Sequence, residues 1–350
     1  MRVARLHAMG DLRVADEPVP TAAPGTSLVR VTAVGICGSD LHWWAEAGIG
    51  DAKLDRPLVL GHEAAGTVQD GPRRGERVAI DPAIPDETCP QCRAGYRNLC
   101  PQVRFAGHGS QDGALRDFLT WPSAQLVPLP DGLTDTEGAV LEPLGVAIHA
   151  LDLGHVRIGA AAAVIGCGPI GLLLVQLLRA AGAGRVVAVD PLAHRREAAS
   201  RAGASVTADP ASAGGPSGLR DLVGTGVDTA FEMAGTDAAV QLAVHACRPG
   251  GRVVLGGIPG DDWIRFPASV SRRKGLTIAM VRRMNDVYPR AIALAASGQV
   301  DLAGLVTDRF PLARAADAFA AAARRGGLKV IVEPETSVLL GDGPRTPRRR

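Results

Sequence analysis

Five side chains able to do metal or proton chemistry fall within residues 34–63, VGICGSDLHWWAEAGIGDAKLDRPLVLGHE: Cys37, Ser39, His42, His62 and Glu63. Gly35 and Gly38 flank Cys37, so the backbone can turn sharply there and aim the sulfur at a partner. A thiolate, an imidazole and a carboxylate are ligand types of a catalytic zinc that keeps one position open. Further on, Glu142 interrupts the apolar run 138–151, GAVLEPLGVAIHAL. A lone carboxylate in such a run is costly unless it is paired or faces a cation, so Glu142 needs a partner. Taken singly, Cys37 could be an apolar filler, His62 a satisfied core histidine and the glutamates surface or capping groups. Together, in a chain that also carries a nucleotide fingerprint, they read as one metal site.

Asp86, Cys89, Cys92 and Cys100 form a second constellation, with the spacing D-x2-C-x2-C-x7-C. Closely spaced thiolates on a loop, with one more returning, suit a closed tetrahedral structural zinc, and Asp86 stands where a fourth thiolate is expected. The alternative is a loop that keeps three free thiols and no metal.

The third motif is Gly166-Cys167-Gly168-Pro169-Ile170-Gly171, between an apolar strand pattern and a helix pattern, with Asp190 19 residues beyond Gly171. One glycine makes the tight turn, one admits a pyrophosphate and one allows the helix close to the strand, with the phosphates at the helix N-terminus. Asp190 would accept the ribose hydroxyls and repel a 2′-phosphate, which favours NAD over NADP, although Arg195 is close in sequence.

These motifs imply two kinds of scaffold. Residues 1–150 read as short strands broken by Gly and Pro, at 27–34, 66–68, 77–80 and 124–129, a mainly-β domain with its sites on loops. The run 138–151 reads as a helix whose start is loosened by Pro143. From 160 onward strands and helices alternate: strands at 161–165, 185–189, 205–207, 227–232 and 252–256, helices at 172–181, 195–202 and 238–247. That alternation predicts a parallel, doubly wound sheet covered on both faces. Residues 209–226 read mostly as loop, 287–297 and 315–324 as helices, and 328–332 as a closing strand.

The chain has 350 residues and 46% hydrophobic content, enough for two cores. Lys and Arg number 38 against 36 Asp and Glu, so nothing points to nucleic acid as a partner. The basic stretch 344–350, PRTPRRR, reads as a solvated, disordered tail within 336–350. No signal-peptide pattern and no bilayer-spanning run appear, and six cysteines are too few for a disulfide scaffold, so no membrane association and a cytoplasmic location are expected.

GICGSDLH at 35–42, GHE at 61–63, the cysteine lobe and GCGPIG at 166–171 together resemble the zinc-dependent medium-chain dehydrogenase/reductases from end to end. LEPLGVAIHA at 141–150, VRR at 281–283 and LVTDRFPL at 305–312 are similar to the sorbitol (polyol) dehydrogenase branch. The resemblance implies a GroES-like catalytic domain over 1–147, a Rossmann domain over 148–284 and a return to the catalytic domain over 285–335. It implies a catalytic zinc on Cys37, His62 and Glu63, with Glu142 ligating it or holding its water. It also implies Trp43 and Arg282 beside the substrate, Gly257 and Ile258 beside the cofactor, and a homotetramer or homodimer. Ser39 followed by His42 offers a hydroxyl-to-imidazole proton exit. The expected activity is NAD-linked oxidation of a secondary alcohol of a polyol to a ketone, with a sugar acid such as idonate or a cyclitol as alternative substrates. Arg283 and Met284 depart from the animal polyol dehydrogenases. A zinc- and nucleotide-binding sensor without turnover would not need the proton exit, and a zinc hydrolase would not need the nucleotide fold.

Overall fold

A computed structural model describes residues 1–212, 214–215, 219 and 222–334. The first sheet is built around Thr26–Gly35, whose sequence TSLVRVTAVG is buried along most of its length. It pairs antiparallel with Glu63–Asp70, with Phe118–Pro122 and, from the far end of the chain, with Lys329–Glu333. In space the sheet runs Leu126–Pro128, Arg77–Ile80, Glu63–Asp70, Thr26–Gly35, Lys329–Glu333, Val306–Pro311, with Phe118–Pro122 as a side branch. The strand expected at 66–68 is therefore longer, Glu63–Asp70, and the one expected at 124–129 shrinks to Leu126–Pro128 after a 3-10 turn, Ser123–Gln125.

The helix Asp135–Gly154 joins this domain to the next and starts a turn earlier than expected. Thr134 caps it: its hydroxyl accepts from the Glu137 amide at 3.2 Å, and the Glu137 carboxylate accepts from the Thr134 amide at 2.8 Å. That reciprocal box satisfies two amides the helix itself cannot. Pro143 lies inside the helix and does not loosen its start. Two glycines let the helix lie against both domains: a Cβ on Gly138 would stand 3.0 Å from the Ala65 Cβ, and one on Gly154 2.5 Å from the Phe231 ring.

The second sheet has six parallel strands, Ala161–Ile165, Arg185–Val189, Val206–Ala208, Val227–Glu232, Cys247–Leu255 and Thr277–Met280, in the spatial order 3-2-1-4-5-6. This is the Rossmann order, in which the connections diverge at the gap between the first and fourth strands and leave a crevice at their carboxyl ends. The helix after the first strand is Pro169–Ala180; it begins at Pro169 because proline suits the first helical position, where no amide is needed. Most of the described positions in 209–226 are turn or irregular, as expected, with helical residues at Gly215, Leu219, Leu222 and Val223, of which Leu219 and Val223 are buried. The basic tail lies outside the described residues. Among those residues, no helix is long and apolar enough to cross a membrane.

Candidate active site

Cys37 follows the strand Thr26–Gly35 by two residues as the N-cap of the helix Gly38–Glu46, and on the neighbouring strand Glu63–Asp70 Glu63 is the first residue, with His62 just before it. One donor atom from each of Cys37, His62 and Glu63 lies within 4.8 Å of the others. The buried Asp40 holds them in place. Its carboxylate accepts from the Cys37 amide at 3.0 Å and the Gly61 amide at 3.2 Å, and His62 Nδ1 lies 3.4 Å from it. With Nδ1 turned to Asp40, Nε2 is the nitrogen left for a metal, the usual arrangement of a ligand histidine and its outer carboxylate. A thiol, an imidazole and a carboxylate converging in this way fit a zinc ion.

Glu63 has a second partner that sequence reasoning did not find. Lys329, 2% exposed, donates to both Glu63 oxygens at 2.9 and 2.7 Å and to the Ile36 carbonyl at 3.0 Å, so all three ammonium protons are used. The available signal was a lysine in the apolar closing strand. Glu142 is buried, and its oxygens fall outside the three-donor group. Burial pushes its carboxyl up to about 7, with Glu63 adding to the rise and His62 and Lys329 opposing it. The structure thus sets Glu142 beside the cluster electrostatically, not as one of the converged donors.

Ser39 and His42 are half-buried on the helix Gly38–Glu46, and His42 Nδ1 lies 3.1 Å from Glu46. Trp43 is 2% exposed and part of the catalytic-domain core, and its ring meets that of His108 in a T-shaped pair at 5.3 Å between centroids. Phe105 lies 5.3 Å from the His62 ring, and the Arg283 guanidinium carbon lies 3.9 Å above the Phe105 centroid. Arg282 is exposed, and its carbonyl accepts from Asn98 at 2.9 Å. Arg283 is the arginine that lies over the ring next to His62. A positive φ of 56° at Arg283 breaks the alternation by which the sequence would place these side chains. Burial, together with Arg283 and Arg282, pushes His108 down to about 4, so its ring is neutral near pH 7.

In the cysteine lobe, donor atoms of Asp86, Cys89, Cys92 and Cys100 also lie within 4.8 Å of one another. The Asp86 carboxylate accepts from the Thr88 and Cys89 amides, both at 2.9 Å, and these hold its acid down to about 2. The Cys92 amide points at the Cys89 sulfur and the Asp86 amide at the Cys100 sulfur, each at 3.4 Å. A loop whose amides face its sulfurs suits thiolates, and the four donors fit one tetrahedral ion.

The glycine turn separates its three roles in space. Gly166 has φ 95°, and a Cβ there would stand 2.8 Å from the Ala234 amide; one on Gly171 would stand 2.0 Å from the Gly166 carbonyl. On Gly168 the nearest atom would be an Arg195 nitrogen at 3.7 Å, so this face is open to a ligand at the N-terminus of the helix Pro169–Ala180. Ile170 is half-buried beside it. Asp190, 3% exposed, accepts from the Cys167 and Leu192 amides at 2.8 and 2.9 Å, and Arg195 lies 3.9 Å from it. Gly257 and Ile258 follow the strand Cys247–Leu255 and abut Gly235. These groups form an opening bounded by amides and one acid, which fits a dinucleotide.

Comparison with known proteins agrees with this construction. Residues 23–131 match the alcohol dehydrogenase GroES-like domain family and residues 169–297 the zinc-binding dehydrogenase family. The sorbitol dehydrogenase of Macaca fascicularis is 37% identical over 339 residues, covering 94% of each chain. Among solved structures, a zinc-binding dehydrogenase of Sinorhizobium meliloti bound to NADP superposes with a TM-score of 0.87 at 32% identity, covering 95% of this chain and 99% of that one. L-idonate 5-dehydrogenase of Escherichia coli gives a TM-score of 0.85 at 26% identity, covering 95% and 97%.

Proposed function

The chain belongs to the zinc-dependent medium-chain dehydrogenase/reductases, in their sorbitol dehydrogenase-like branch, and from that premise we propose that it oxidises a secondary alcohol of a polyhydroxy compound to a ketone with NAD. The observation that carries this reading is the convergence of Cys37, His62 and Glu63 in a chain whose other domain presents an open glycine turn in Rossmann order.

When bound, zinc acidifies the substrate hydroxyl and the nicotinamide accepts hydride. Cys37, His62 and Glu63 hold the ion, and Asp40 fixes the imidazole. Glu142, buried and poised near neutrality beside these three donors, would hold or release a proton there. Ser39 and His42 lie one helical turn apart and supply the exit for the hydroxyl proton, with Glu46 beside His42 at the solvent end. The cysteine lobe holds the second, structural zinc. For the cofactor, Asp190 supports NAD: a carboxylate at the end of the second strand of this sheet would accept ribose hydroxyls and repel a 2′-phosphate. Arg195 does not reverse this preference, because at 3.9 Å it is drawn toward the same carboxylate. An exposed apolar edge on the nucleotide domain supports a homo-oligomer.

The test is the rate of NADH formation with a panel of polyols and sugar acids, run with metal analysis and with NADPH in competition. Two zinc ions per chain, tighter NADH than NADPH binding, and turnover reduced about 10²-fold by Ser39→Ala are expected. Absence of nucleotide reduction with every polyhydroxy compound would overturn the reading.

A further inference from the structure

The segment 281–286 connects the last strand of the nucleotide sheet to the helix Tyr288–Ala296, and the cysteine lobe grips it from outside. Asn98 donates to the Arg282 carbonyl at 2.9 Å, Asn285 donates to the Gly95 carbonyl at 2.8 Å, and Arg97 pairs with Asp286 at 2.9 Å. Held in this way, the segment takes a left-handed turn at Arg283 and sends that side chain over Phe105, the ring that leans on His62. Arg283 makes no hydrogen bond or ion pair among the described residues, and its Nη1 is buried without a partner. The charges acting on it are Arg282, which repels it, and Glu142, which attracts it but forms no ion pair with it among the described residues.

An unpaired guanidinium in a half-buried position carries a desolvation cost. Stacking on Phe105 returns only part of it, about 0.5–2 kcal/mol. The remaining donors form a rigid fork suited to a planar or tetrahedral anion. From the imidazole to the guanidinium is no more than the two stacked-ring spacings together, a separation that one short polyhydroxy chain bridges.

We propose that Arg283 binds an anionic group of the substrate, remote from the carbinol that is oxidised, and so selects polyhydroxy acids or polyol phosphates over neutral polyols. This deepens the proposed oxidation of a polyhydroxy compound and rests on it.

The test compares hexitols, the corresponding hexonates and the hexitol phosphates, in several configurations. Rates of NAD reduction are measured together with calorimetric binding to the zinc enzyme saturated with NADH. In the unaltered enzyme, kcat/KM for one anionic class should exceed that for the hexitols by about 10²-fold, the scale of one desolvated charge pair. Which class wins distinguishes carboxylate from phosphate. Arg283→Gln should erase that ratio mainly through KM, and Arg283→Lys should restore part of it; thermal unfolding of both variants verifies that they fold. Hexitols turned over as well as either anion, or all three classes lowered by one common factor in Arg283→Gln, would overturn the anion site while leaving polyol oxidation in place. Arg283-dependent anion binding with no turnover of any compound would uphold the anion site and remove the oxidation reading. Neither binding nor turnover would overturn both.

Discussion

Asp40 shows how one side chain can organise residues far apart in sequence. It meets the Cys37 amide three residues back and the Gly61 amide 21 residues on, and it orients His62. Asp40→Asn keeps the size but loses the charge and one acceptor, so zinc affinity should fall about 10–100-fold, the cost found for outer-shell partners of ligand histidines. Competition with a chromophoric chelator would measure this; unchanged affinity would mean that backbone geometry alone holds the imidazole. Asp81 offers a pH-dependent test outside the site. Burial lifts its carboxyl from 3.8 to about 6, with the Ala83 amide and Arg97 opposing. Because the folded value is the higher one, the fold favours the protonated acid. The stability it contributes is full below about 4 and is lost as pH rises through about 6. Asp81→Asn, neutral throughout, should match the parent at pH 4 and exceed it by about 2 kcal/mol at pH 8. Denaturant titrations at the two pH values decide; a variant weaker at pH 8 than at pH 4, relative to the parent, would show that the ionised carboxylate pairs.

Among the elements, those with strict periodicity were legible from sequence and those governed by local capping were less so. The apolar strands of the nucleotide sheet and the glycine turn could be read directly, since AAAVI and RVVAV suit only a strand buried on both faces. The helix Asp135–Gly154 was read too short because Thr134 and Glu137 look like loop residues until their reciprocal hydrogen bonds are seen. Lys329 and Arg283 were missed for a different reason. Lys329 stands out as a lysine in an apolar strand, but its partner Glu63 lies 266 residues away, and the direction of Arg283 depends on its own left-handed conformation, so sequence neighbours name neither contact. The glycine turn gives an element-scale prediction. Gly168→Ala adds a methyl group into open space and should fold normally but weaken NADH binding, because the methyl occupies the pyrophosphate face. Gly171→Ala places its methyl 2.0 Å from a backbone carbonyl and should push the helix Pro169–Ala180 off its strand, costing about 1–3 kcal/mol of stability. NADH fluorescence titration and thermal unfolding of both variants separate these effects, and equal loss of stability in the two would contradict the assignment of roles.

At the scale of the molecule, a catalytic sheet closed by the chain's last described strand and a nucleotide sheet share one linking helix, and the cleft between them takes walls from both. Among the described residues the nucleotide sheet ends at Thr277–Met280, which pairs on one side only, with Cys247–Leu255. Its surroundings are apolar and open: Met280 is 61% exposed and Trp263 67%, with Ile258 and Phe266 also exposed. An unprotected edge beside such residues invites strand addition, and proteins that stay monomeric guard an edge with charge or proline. Neither guards Thr277–Met280 itself. A second copy can satisfy the edge through a twofold axis that makes the two sheets continuous, an isologous contact that closes on itself. Met280→Lys and Trp263→Lys should each place a desolvated charge in that contact and weaken association by about 10²-fold. Light scattering across a concentration series would show an oligomer that falls to monomer in the variants. A parent that is monomeric at high concentration, or variants that assemble as the parent does, would place the contact elsewhere on the surface.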